Sequence, residues 1–254
     1  MKTLFRYYRA EFYKSRNSIL MPLHLILPIL LCIAFGLLFY GRRSQISEVY
    51  IGMAFFEVMA LAFPFIVAIV SGIVVKREED TSQFQNMRKG ASPVKAFGAQ
   101  LLMLLTIGLG AIIIGMAGLT GITKFIFHKP VLQFSSLCIA GFILWASMIA
   151  LYTIHLLIGT MYGFGISAVL GMMGTIISAM GITSLGDKIW YYMPPCWGLR
   201  LMKLFFVSLH DNKMDNWVLQ EYKAVFPVVV IMTLICLVVF FLWGSRWQGR
   251  NTQE

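Results

Sequence analysis

The sequence predicts an all-α membrane protein: six transmembrane helices, an N-terminal amphipathic interfacial helix, a short charged cytoplasmic helix, and an extracellular re-entrant segment before the last span. Three observations carry that prediction. Hydrophobic residues make up 59% of the 254 and charged residues 13%, with a mean hydropathy of +0.78. Soluble domains run about 45–50% apolar and about 25% charged, so the bilayer must be the solvent for most of this surface. Apolar runs of about 20 residues, the length a spanning helix needs, recur six times, and basic residues gather in alternate connections.

Residues 1–18 come first. Leu4, Phe5, Tyr8 and Phe12 fall on one helical face and Lys2, Arg6, Arg9 and Arg16 on the other. Such a helix suits the cytoplasmic headgroup layer. No cleavable signal peptide is expected, because the apolar run from Ile19 is long enough to span and no small-residue cleavage site follows it.

The expected spans are 19–40, 51–75, 96–122, 134–158, 162–185 and 225–243. Only a turn near Gly159 separates the fourth from the fifth, and one long broken helix is the competing reading there. The chain thus reads as one domain, 1–254, divided into 1–18, spans 1–2 at 19–75, a loop at 76–95, spans 3–5 at 96–185, an outer loop at 186–224, and the last span with its tail at 225–254. Twelve of the 21 Lys and Arg lie in 1–18, in 76–95 and after 243. Basic loops stay inside, which predicts that both termini are cytoplasmic.

The loop at 76–95 reads as a capped helix, Glu78 to Lys89. Glu78, Glu79 and Asp80 open it and Arg88 and Lys89 close it, the order the helix dipole favours. Gly90 is a stop signal, and Ser92 with Pro93 is an N-cap and first-turn proline for the third span. The loop at 186–224 carries Trp190, Tyr191, Tyr192, Pro194, Pro195 and Trp197, then an apolar run at 199–209 broken by Arg200 and Lys203. That run is too short to span, and a re-entrant or interfacial helix on the outer side fits it.

Chemistry is sparse. A net charge of +10 is spread between apolar runs, which suits lipid headgroups and argues against nucleic acid. There is no GxxxxGK[ST] loop, no HExxH and no GxSxG. Four scattered histidines and four cysteines at unrelated spacings predict neither a metal site nor a disulfide framework. Glu57 is the one acidic residue within a predicted span. It lies either on a translocation path or near the outer interface beside headgroups or a polar partner. Pro22, Pro28 and Pro64 can kink their spans. Gly108, Gly115 and Gly118, the pair Gly159 and Gly163, and Ser167 with Gly171 permit close helix packing, within one chain or between subunits.

The order of these parts, with Arg77-Glu78-Glu79-Asp80-Thr81 followed by Ser92-Pro93, resembles the permease subunits of type 2 ABC transporters over essentially the whole length. The compact size and the run Gln83-Phe84-Gln85-Asn86-Met87 are similar to lantibiotic immunity permeases. The chain departs from the family at Thr81, where glycine is common. The resemblance implies a membrane subunit, not itself an enzyme, in a bacterial plasma-membrane exporter. ATP would be bound by a separate ABC ATPase subunit, a second permease would complete a homo- or heterodimer, and the chain would need no cofactor of its own. It also implies that 76–95 is a coupling helix, in which Glu78, Glu79, Asp80, Gln83, Phe84, Met87 and Arg88 meet the ATPase, Phe84 and Met87 as apolar anchors. The implied cargo is an amphipathic antimicrobial peptide, with another drug or lipid-like substrate as the alternative. An ion-coupled carrier fits less well, since no internal repeat or paired intramembrane charge is visible.

Overall fold

The computed structural model describes residues 2–85, 92–210 and 216–248. Among them every regular element is helical, the arrangement that satisfies backbone N–H and C=O groups inside a lipid environment. We number α1 Lys2–Ser15, α2 Leu20–Tyr40, α3 Glu48–Ser82, α4 Pro93–Gly121, α5 Phe134–Tyr162, α6 Phe164–Gly181, α7 Pro194–His210 and α8 Asn216–Arg246. A π-helical turn, Ile122–Ile126, extends α4. Six of these helices are long and apolar enough to cross a membrane: α2, α3, α4 with its π turn, α5, α6 and α8.

α3 is the centre of the bundle, packed by α5, α6 and α7. Ser47 caps its start, accepting from Tyr50 N–H at 3.2 Å. Its 35 residues measure about 52 Å at ~1.5 Å per residue, well beyond a hydrocarbon layer of about 30 Å. Close approach of α6 rests on small residues. A Cβ on Gly171 would overlap Ala68 and press on the Pro64 carbonyl at 2.9 Å, and one on Gly72 would lie 2.6 Å from the Phe164 ring. Ser167 Oγ donates to the Ala68 carbonyl at 3.4 Å and so accepts from His155 Nδ1 at 3.1 Å. One hydroxyl thereby bridges α3, α5 and α6.

Four expectations are corrected. The break between the fourth and fifth spans is Gly163, at φ 90°, where a side chain would be strained. Gly159 lies inside α5, where its missing side chain makes room for Val75 of α3. The charged helix does not begin at Glu78: α3 continues unbroken to Ser82, because nothing between Lys76 and Ser82 stops a helix. Gln83 and Phe84 then turn left-handed, at φ 45° and 61°. The Phe84 N–H bonds the Glu78 carbonyl at 3.3 Å, closing the helix terminus over the seven residues from Glu78 to Phe84. Residues 86–91, with Met87 and Arg88, lie outside the described residues. Ser92 does precede Pro93 at the start of α4, but its side chain makes no capping bond; its carbonyl accepts from Lys95 and Ala96 instead. Finally, the last helix starts at Asn216 and not near Val225, since its polar first turns stay helical.

The glycines give opposite expectations. Gly171→Val should lower the thermal unfolding midpoint in detergent, at about 1–3 kcal/mol from overpacking α3. Gly110→Ala, in α4 with open space around it, should raise it, at about 0.5–1 kcal/mol from helix propensity.

Candidate functional site

A charged network forms where α1 meets the end of α3. Residues 4, 8, 11, 12 and 15 share a helical face, and on α1 that face carries Leu4, Tyr8, Glu11, Phe12 and Ser15 against the bundle. Tyr8 Oη and Thr106 Oγ1 of α4 are 3.0 Å apart, and Ser15 Oγ donates to Met103 Sδ at 3.2 Å. Arg6, Arg9 and Arg16 are exposed and Phe12 is half-buried. Phe5 is instead exposed, one position off the packed stripe.

Glu11 and Glu78 are both 2% exposed. Lys14 Nζ lies 2.7 Å from Glu11 and 2.8 Å from Glu78. The Arg77 guanidinium reaches Glu11 at 2.5 Å and Glu78 at 3.5 Å, and also donates to Ser15 Oγ. Two carboxylates and two cations cancel in a site that α1 and α3 build together. Isolated buried charges cost far more than exposed ones, so neither helix can present its half alone. The network also explains how Glu78 is accommodated in the last turns of a helix, where the dipole opposes it.

This geometry corrects the expected docking set. Glu78 is buried in the ion-pair network and is not a surface contact. Phe84 is also buried, with its ring edge-on to Trp247 at 5.4 Å. Trp247 and Trp243 pack on Phe97, which also meets Phe240 at 5.6 Å. The end of α3, the start of α4 and the end of α8 thus share one aromatic cluster. Asp80 and Gln83 are exposed and Glu79 is half-buried. Sequence reasoning missed Glu11 and Lys14. The available signal was that Glu11 is the one acidic residue in 1–18 and shares the face of Leu4 and Tyr8.

A second polar region surrounds α7. Arg200 donates to the Gly181 carbonyl at 2.6 Å and the Thr183 carbonyl at 3.0 Å, and pairs with Asp187 at 2.6 Å. Trp190 donates to Glu221 of α8 at 3.3 Å. These bonds fold 182–193 back on α7 and leave a cavity of about 320 Å³ that Lys203 and Trp217 also line. Glu57 of α3 is half-buried. Among the described residues no group of His, Cys, Asp or Glu is placed to hold a metal ion. No family model, curated protein or solved structure matches this chain.

Arg77→Met should destabilise the protein by about 3–5 kcal/mol, the cost of leaving a buried partner uncompensated. Combining it with Glu11→Gln should cost less than the two changes added, as read by thermal unfolding. The pH response has a fixed sign. Burial alone would lower the Lys14 pKa, but the Glu11 and Glu78 carboxylates outweigh it and hold the ammonium above its ordinary 10.5. The stabilisation is therefore complete below that value and is lost as pH rises through the folded pKa. Melting temperature should fall more gently above about pH 10 in Lys14→Met than in the parent.

Proposed function

We propose that this chain is the membrane-embedded permease subunit of an ATP-binding cassette exporter, working with a separate ATPase subunit and a second permease. The observation that carries the reading is the continuity of α3. One helix runs from the Ser47 cap, past Glu57 and the α6 contact, to the charged network and the segment after Gln83. A push on that segment from the cytoplasmic side would reach α6 through the packed contacts at Ala68 and Gly72, which lie between that segment and Pro64. The resemblance of Arg77–Thr81 and Ser92-Pro93 to type 2 permeases supports the same reading.

In this proposal the ATPase meets Glu79, Asp80 and Gln83, together with Met87 and Arg88. Glu78 and Phe84 act from below, fixing the base of that surface. A chain without a nucleotide-binding loop takes its energy from the partner. The cargo is an amphipathic peptide drawn from the membrane, in keeping with lantibiotic self-immunity in a bacterial plasma membrane. The face of α6 turned away from α3 is lined by Met172, Met173, Ile176 and Met180, a flexible apolar surface suited to such a molecule.

The test is co-purification from the native membrane. The parent chain should bring down an ATP-hydrolysing subunit, and Asp80→Lys with Gln83→Ala should weaken that capture about tenfold, or ~1.4 kcal/mol, while the variant elutes as the parent does. Peptide transport into vesicles that hold this chain and no ATPase would overturn the proposal.

A further inference from the structure

The cavity beside α7 holds more charge than its own contacts use. Arg200 and Lys203 are neighbours on one face of α7, and Trp217 and Glu221 on one face of α8. Both faces line the same space of about 320 Å³, which Asp187 and Trp190 close from the returning segment. Small-molecule sites begin at about that volume.

Its charges fall into two groups. Arg200 is committed, since its guanidinium holds the Gly181 and Thr183 carbonyls and the Asp187 carboxylate. Lys203 and Glu221 are not. Among the described residues Lys203 makes no hydrogen bond or ion pair, either with Glu221 or with Glu57 of α3. Glu221 accepts from Trp190 Nε1 at 3.3 Å through one oxygen, and its second oxygen has no partner among those residues. The cavity thus presents one ammonium from α7 and one carboxylate from α8, and the two do not neutralise each other. Trp217, 54% exposed, adds an indole to the α8 wall.

Depth then selects the ligand. Residues 224–245 of α8 carry no charged side chain. At ~1.5 Å per residue that stretch is about 33 Å long, against about 30 Å of hydrocarbon. Arg246 ends it beside Trp243 and Trp247, and Glu221 and Lys223 end it on the other side. The cavity therefore lies at headgroup level, at the end of the bundle away from Glu11 and Glu78. Tyr191, Tyr192 and Trp217 there are the aromatics of a membrane–water boundary.

We infer that this cavity binds the headgroup of a zwitterionic phospholipid, its phosphate on Lys203 and its primary ammonium on Glu221 beside Trp217. A lysine meets phosphate as a point charge, and a carboxylate with an aromatic face favours an ammonium. A purely anionic headgroup would satisfy Lys203 but set negative charge beside Glu221 and Asp187. A cation alone would leave Lys203 unpaired. A lipid so held ties α7 to α8 across the space between them.

The experiment is native mass spectrometry of the full chain released from nanodiscs of equimolar phosphatidylethanolamine and phosphatidylglycerol. The parent should retain phosphatidylethanolamine about fivefold over phosphatidylglycerol, the effect of one half-exposed ion pair. Glu221→Gln should abolish that preference, Lys203→Gln should weaken retention of both lipids, and Lys203→Arg should restore it. Water-soluble O-phosphoethanolamine at the lipid's concentration should not displace the bound lipid. Equal retention of the two lipids by the parent overturns the inference without any variant. A preference that survives both Glu221→Gln and Lys203→Gln, or displacement by the soluble headgroup, overturns it as well.

Discussion

Two carboxylates taken out of water set the terms for one end of this molecule. Glu11 and Glu78 are buried, and each is held by both Lys14 and Arg77. Each cation therefore serves an acid from its own helix and one from the other. An exposed ion pair contributes little, but a buried one is costly to break because the survivor stays uncompensated. The consequence is positional. α1 is held against the end of α3, and α3 cannot shorten at its charged end without exposing or orphaning a charge.

The aromatic cluster extends the same constraint to the other elements of that end. Phe84 stands two residues past α3 and lies on Trp247, beyond the end of α8, which in turn lies on Phe97 near the start of α4. Holding Phe84 there requires left-handed backbone at two residues that are not glycine. That conformation costs about 1–2 kcal/mol per residue, against about 3–5 kcal/mol for a buried phenylalanine deleted to alanine. Burial wins, so the chain turns sharply after Gln83. The polar residues of the turn are exposed because the aromatic one is buried.

The spans were legible in the sequence because their signal is length and composition, which no tertiary contact alters. Helix ends were not, because they depend on what lies alongside. Lys76 to Asp80 shows the difference: its acids-first order suits a new helix, yet the same residues continue α3 once Lys14 and Arg77 neutralise them. Gly159 and Gly163 show it again. Both are plausible breaks on propensity, and only Val75 lying against Gly159 separates them. Glu78 and Phe84 were placed on the surface because a charged, polar stretch reads as solvated. Burial of one by ion pairing and of the other by Trp247 needs partners more than 60 residues away in sequence. Pairing of that range leaves no local periodicity to read.

Small residues decide what α6 has left to offer. Ser167, Gly171, Gly174 and Ser178 are buried, and Gly171 and Gly174 admit Ala68 and Pro64 of α3 within the same chain. In lipid, helix association depends on close packing rather than on hydrophobic burial, and the best packing surface of α6 is already spent on α3. The outward face is methionine and isoleucine, which lipid solvates as well as a protein would. Glycine spacing in α6 is therefore an intramolecular device. It fastens α6 to the one helix that also carries the charged end, so displacement of α3 at Glu78 must carry α6 with it or open the contact at Gly171.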